Sequence, residues 1–321
     1  MPGYKYLFDG KAGIDIVENS GNKSGISVAR LGGEIISFRA YNEKEKQLVP
    51  LLYRDGIIDP TLAGWKNHAT VLFPIVGGLI NKTSIYKGSI KISSKGNHGF
   101  ARHSLFTLKE KKIGDNSATL GYNISPSSEI TGYYPFDFSF DVTYTISKND
   151  LSVEFAVENK EKNRALPFSI GWHPGFSAPM FSGKGKKADC KILMEKGDYT
   201  HVECDKNSKL TGRKKAVHVD EYFPWTEDGL DSTTMLFIND KNKRRVSFFD
   251  PNSKVKVAFN FPDFPYLGFW ANKGENYICI EPWHGLDDHV NQEPFENKLG
   301  LIELAPGKKD TRKISVSVEF E

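Results

Sequence analysis

An all-β fold, a large antiparallel β-sandwich, is predicted by this 321-residue sequence. Three observations carry the prediction. Apolar residues recur at every second position along many short stretches, the period at which one face of a strand is buried. With 29 Gly and 16 Pro in the chain, turn-forming clusters break those stretches about every ten residues, the spacing of a sandwich or barrel. The 3.6-residue apolar period of an amphipathic helix is nearly absent.

The elements follow in chain order. Ile36, Phe38 and Ala40 share one face of a strand that runs into the charged turn Glu43-Lys44-Glu45-Lys46. Val142, Tyr144 and Ile146 alternate, Lys148-Asn149-Asp150 turns the chain, and Leu151, Val153, Phe155 and Val157 alternate again. A slip of one residue would turn either apolar set to solvent, so the pattern fixes the register of this hairpin. Val246 to Phe249 and Val255 to Phe261 flank Asp250-Pro251-Asn252-Ser253 as a second hairpin, and Ile314, Val316, Val318 and Phe320 mark a last half-buried strand. No linker, low-complexity tract or repeat divides the chain, so one domain over residues 1–321 is expected.

Composition narrows the function. At 39% hydrophobic and 26% charged residues, with a net charge of +3, the chain has ample core and no strong polarity. Lys184-Gly185-Lys186-Lys187 and Arg213-Lys214-Lys215 are short basic clusters without interleaved aromatics, which argues against a nucleic-acid surface. Cys190, Cys204 and Cys279 are an odd number without CxxC spacing, so neither a disulfide framework nor a four-cysteine zinc site is expected. Residues 1–10 lack the pattern of a secretory signal, and the longest apolar run, Val71 to Ile80, is broken by Pro74, Gly77 and Gly78. A cytoplasmic, reduced protein without membrane contact is the expectation.

Four segments interrupt the alternation while combining aromatic, polar and Gly residues: Trp65 to Leu79, Asn97 to Arg102, Pro167 to Phe176, and Ile278 to Gly285 preceded by Leu267-Gly268-Phe269-Trp270. Irregular segments on a β scaffold are where ligands are usually met. In the last segment Glu281 follows three apolar residues and precedes Pro282-Trp283. A carboxylate so placed is poorly hydrated; it is either locked in an ion pair or held as a proton acceptor with a raised pKa. His173 likewise ends an apolar stretch, and His98 precedes Gly99, where a tight turn leaves an imidazole facing a cleft. Trp172, Trp270 and Trp283 are core aromatics or, beside these polar groups, the flat faces on which a sugar ring stacks. His284, Asp287, Asp288 and His289 lack metal-ligand spacing and read as a solvated loop. No metal or cofactor is expected.

The ordered stretches "FPIVGGL", "HGFAR", "PFSIGWHPGF", "GFWA" and "ICIEPWHG" resemble the aldose 1-epimerase (galactose mutarotase) superfamily, most closely its LacX-like branch, over roughly Leu31 to Leu304. The resemblance implies a sandwich of the galactose mutarotase type with an open sugar cleft. It implies that Glu281 takes the proton of the anomeric hydroxyl and His173 protonates the ring oxygen. His98 and Arg102 would bind the sugar, with Trp172 and Trp283 beside it. An Asp that binds sugar hydroxyls falls within Thr226 to Asp231, Asp231 being favoured over Asp228.

One position departs from the resemblance. Gly78 in "FPIVGGL" stands where such proteins carry an Arg that holds the sugar, with Lys82 and Arg102 as nearby replacements. Three readings follow: an epimerase acting on a free hexose or related sugar, a hexose-6-phosphate epimerase, and a non-catalytic carbohydrate-binding or sensing protein. A 6-phosphate would call for a cluster of cations, and Gly78 removes one. Pure binding would not require Glu281 and His173 together.

Overall fold

The alternation folds as two large antiparallel sheets and two two-stranded ones in the computed structural model, which describes residues 3–180, 185–231 and 234–321. The larger sheet has 12 strands and the smaller 8. The centre of the larger sheet places Ala69–Leu72, Ile170–Ser177, Tyr277–His284 and Tyr266–Trp270 side by side, with three earlier strands and Glu34–Asn42 to one side. The smaller sheet pairs Phe138–Ser147 with Asp150–Asn159, then Lys309–Phe320, Val255–Asn260 and Arg245–Asp250.

The first predicted hairpin keeps its register: Val142 faces Phe155, Tyr144 faces Val153 and Ile146 faces Leu151, all six buried. The second hairpin forms as expected, and Lys309–Phe320 lies between the two, burying Ile314, Val316 and Val318. Aromatic rings fill the space between the sheets. Phe73 of the larger sheet's layer stacks on Phe140 of the smaller at 4.3 Å between centroids, and Phe176 meets Phe259 edge to face at 5.4 Å. Each such pair adds about 0.5–1.5 kcal/mol to the burial itself. Among the described residues only two short α-helices occur, Ser128–Tyr133 and Glu227–Asp231. No helix among those residues is long and apolar enough to cross a membrane.

Strand parity at the centre of the larger sheet decides which side chains enter the core. On Ile170–Ser177, Trp172 and Phe176 point inward and both meet Phe259 of the opposite sheet. Gly171, His173 and Gly175 therefore lie on the outer face. On Tyr277–His284, Ile278 and Ile280 are core residues, which leaves Cys279, Glu281 and Trp283 outside with His173. The expectation that Trp172 meets the ligand is corrected here. Its ring is fully buried between the sheets, its indole N–H donates to the Ala69 carbonyl at 3.1 Å, and as the neighbour of His173 it must face the other way.

Candidate functional site

A cavity of about 260 Å³ opens on that outer face. Its floor is a cross-strand pair. Gly171 stands opposite Trp283 and Gly175 opposite Cys279, so His173 falls opposite Glu281. His173 Nε2 and Glu281 Oε2 are 3.1 Å apart, without the alignment of a hydrogen bond. Both carboxyl oxygens and His173 Nδ1 are buried with no hydrogen-bond partner. Leaving one buried polar group unpaired costs about 1–3 kcal/mol, so three such atoms around one cavity are a reservoir of unmet bonding.

Burial also sets their protonation. It pushes the Glu281 carboxyl well above the ordinary range, against the opposing pull of the Arg102 guanidinium. It pushes the His173 imidazole down to about 3, and the positive charge of Arg102 adds to the effect. Between the lowered imidazole value and the raised carboxyl value the pair therefore holds one proton between two sites, which is the composition an acid–base couple needs.

The walls bring in the other segments. Trp65 lies over His173 with centroids 5.5 Å apart and planes at 28°, while Trp270 meets His173 edge on at 5.6 Å. A Cβ at Gly175 would collide with the Trp65 indole, so glycine at that strand position is what admits the ring. His98 has φ 70, and it accepts the Gly77 N–H on Nδ1 at 3.2 Å. With that lone pair occupied the neutral ring carries its proton on Nε2, which becomes a donor. Burial and the charges of Arg102 and Lys209 push the His98 imidazole well below its ordinary range. Arg102 and Trp283 also line the cavity, and both Arg102 Nε and Trp283 Nε1 are buried without a partner. Behind Arg102, Glu34 accepts the backbone N–H of His68 at 2.6 Å, and burial lifts its carboxyl to about 7.

The family model for aldose 1-epimerase matches residues 16–317 of the chain. The chain belongs to the aldose 1-epimerase family. Within it the sequence is 29% identical over 301 residues to the chromosomal LacX protein of Lactococcus lactis, covering 90% of this chain and 93% of that protein. A galactose mutarotase related enzyme from Lactobacillus acidophilus is similar in structure, with a TM-score of 0.80 and 26% identity over 98% of this chain and 97% of that one. A galactose mutarotase-like protein from Lactobacillus casei superposes with a TM-score of 0.78 at 22% identity, covering 99% and 100% of the two chains. The fold is the galactose mutarotase type of sandwich.

Of the residues predicted for the site, this family member gathers Glu281, His173, His98, Arg102 and Trp283 around one cavity. Asp231 is not among them. It ends the short helix Glu227–Asp231, is exposed, and accepts the Lys273 N–H at 3.1 Å, while Asp228 pairs with Lys273 Nζ at 2.6 Å. The carboxylate at the cavity is Asp287, from the segment read as a solvated loop. That reading is corrected too, because Asp287 and Asp288 are both buried. Asp288 pairs with Lys298 at 2.6 Å, and Asp287 Oδ1 accepts the Gly78 N–H at 2.7 Å and Lys209 Nζ at 3.0 Å.

Asn97 and Lys209 close the space at the Gly78 departure. A Cβ built at Gly78 would collide with Asn97 Oδ1 and come within 2.9 Å of Lys209 Nζ, so these two side chains occupy the space that a side chain at residue 78 would need. Lys209 also donates to the Gly78 carbonyl at 3.2 Å. Of the two replacements the sequence suggested, Arg102 lines the cavity, whereas Lys82 is exposed and does not. Asp287 was legible as an acidic residue just after the "IEPWHG" stretch. No sequence signal pointed to Lys209, which arrives from an irregular hairpin between Gly197–Cys204 and Leu210–Val219.

Proposed function

We propose that the protein interconverts the α and β anomers of a free aldose, with Glu281 and His173 exchanging protons with the two oxygens on C1. The observation that carries the reading is the buried Glu281–His173 pair, whose facing atoms stand 3.1 Å apart and whose carboxyl oxygens and Nδ1 are unpartnered at the floor of a sugar-sized cavity. In ring opening Glu281 takes the proton of the anomeric hydroxyl, and His173 gives a proton to the ring oxygen. The C1–O5 bond breaks, its electron pair stays on O5, and the C1=O1 double bond forms. Rotation about C1–C2 and the reverse transfers close the ring on its other face. Opening leaves the proton on Glu281 and the imidazole neutral, the distribution that burial favours. Each transfer contributes typically about two to four orders of magnitude in rate.

Charge balance supports a neutral sugar over a sugar phosphate. Lys209 is paired with Asp287, which leaves Arg102, among the described residues, as a lone unpaired cation lining the cavity. One guanidinium falls short of the cluster a dianion calls for. Trp65, Trp270 and Trp283 offer aromatic faces for the C–H surface of a pyranose, while His98 Nε2, Arg102 Nε and Trp283 Nε1 offer donors to its hydroxyls.

Polarimetry or exchange NMR on freshly dissolved α-glucose and α-galactose is expected to show anomer interconversion faster than buffer alone. No acceleration across a panel of aldoses would leave sugar binding without catalysis. Lys209 holds Asp287, a residue of the cavity wall, so Lys209→Met is expected to raise KM about 10–100-fold with a smaller change in kcat, the hydrogen bond to a charged group contributing about 1.5–3 kcal/mol. Steady-state kinetics read the split; an unchanged KM would mean that Asp287 keeps its place in the wall without Lys209.

A further inference from the structure

We propose that His173, Cys279 and Glu281 form a capture site for a borderline or soft divalent metal ion, Zn²⁺ or Cd²⁺, which competes with the sugar for the same two proton-transfer groups. One nitrogen, one sulfur and one oxygen from these side chains lie within 4.8 Å of one another, all on buried residues. The sheet builds the tripod. Cys279 and Glu281 stand two residues apart on one face of Tyr277–His284, and His173 lies across from Glu281 on the neighbouring strand. Residue 175, opposite Cys279, is glycine and the Trp65 indole takes the space above it, so an ion reaches the thiol from the side of His173 and Glu281.

The distances suit the ion. Zn–S of about 2.3 Å with Zn–N and Zn–O near 2.1 Å sets neighbouring ligand atoms roughly 3.3–3.6 Å apart in a tetrahedron. His173 Nε2 and Glu281 Oε2 already stand at 3.1 Å, and the Cys279 sulfur lies within 4.8 Å of the other two ligand atoms. Both Glu281 oxygens and His173 Nδ1 lack partners, so no existing hydrogen bond has to be broken at these atoms. Three protein ligands leave the fourth position open to the cavity, for water or a sugar hydroxyl.

Charge makes the assembly favourable where a lone ion would not be. The metal enters with two positive charges, the Cys279 thiol and the Glu281 carboxyl each lose a proton to solvent, and the His173 imidazole binds neutral. The product has no net charge, so the desolvation that opposes each group alone is largely cancelled. The proton release is at most two per metal, and no oxidant or reductant takes part.

Competition with the sugar rests on the proposed role of Glu281 and His173, whereas metal capture does not, so the two are read separately. Titration of the protein with Cd²⁺ is expected to give a thiolate-to-cadmium charge-transfer band in the ultraviolet, saturating at one equivalent. Cys204, the thiol that lines the cavity itself, is the control. The band is expected to disappear in Cys279→Ser and persist in Cys204→Ser; Cys279→Ala serves if the Ser variant fails to fold, judged by near-UV circular dichroism. In the exchange assay Zn²⁺ is expected to inhibit competitively with the sugar, and its inhibition constant to weaken at least about tenfold in Cys279→Ser, since losing even a supporting partner typically costs 10–100-fold in metal affinity. A band retained without Cys279, lost without Cys204, or absent from the parent protein would overturn the metal site. A normal band with non-competitive Zn²⁺ inhibition would overturn the competition. If no aldose is interconverted, the band alone decides the site and the failure belongs to the catalytic reading.

Discussion

Glu281→Gln is expected to lower the protein-dependent rate of anomer exchange by about 10²–10⁴-fold while making the folded protein more stable at neutral pH. The substitution keeps the shape of the side chain, so its packing beside Gly268 and Met235 has no reason to change. It removes the one atom able to take a proton from the anomeric hydroxyl. The stability effect follows from burial, which raises the folded-state carboxyl well above the ordinary carboxyl range. Between those two values the unfolded chain has released its proton and the folded chain has kept it. Stability therefore falls as pH rises through that window, by up to about 1.4 kcal/mol for each unit of separation. An amide carries no such linkage. The two melting temperatures should converge at acid pH, where both forms are neutral, and separate by a few degrees or more at pH near 7. Thermal melts across pH and polarimetry check the two halves independently. Full activity in the Gln variant would dismiss Glu281 as the proton acceptor.

Much of this arrangement was written in period two. The alternation of Val142 to Ile146 against Leu151 to Val157 fixed a hairpin to the residue because both strands bury one face only. Glu281 and His173 could be singled out because a carboxyl and an imidazole at the ends of apolar runs have few places to go but a cavity or an ion pair. Period two also held a warning about Trp172. Side chains of consecutive strand residues leave on opposite faces, so if His173 reaches a ligand its neighbour does not. What stayed hidden depended on loops. Asp231 and Asp287 were both acidic residues in turn-rich segments, and only the folded chain shows the first exposed and the second buried against Gly78 and Lys209. Lys209 had no signal, because the relation it satisfies is a vacancy at residue 78, 131 residues away along the chain. The proximity of Cys279 to His173 was hidden for the same reason: it follows from which strands pair, and pairing between distant strands is not encoded in either one alone.

His173→Gln is expected to cost about 10²–10⁴-fold in exchange rate as well, and the pH profile of the unmodified protein shows why. An exposed Glu and His would give a bell with limbs near their ordinary values of about 4.3 and 6.5. Here burial drives the two apart in the opposite order, the imidazole down to about 3 and the carboxyl upward. Below about 3 the pair carries two protons and has no acceptor. Above the raised carboxyl value it carries none and has no donor. Between these limits it carries one, so the rate should stay flat from above about 3 up to the raised carboxyl value and should fall only on the alkaline side of it. The sign is fixed by Glu281: a carboxyl with a raised value gives up its proton only as pH rises through that value, so activity is lost upward. Exchange NMR with the buffer rate subtracted at each pH measures the profile. In His173→Gln the residual rate should lose the flat region and instead rise with the ionisation of Glu281, because only the base is left. A bell with limbs near 4.3 and 6.5 would mean that the pair titrates as two independent, hydrated groups, and the shared-proton account of the site would fail with it.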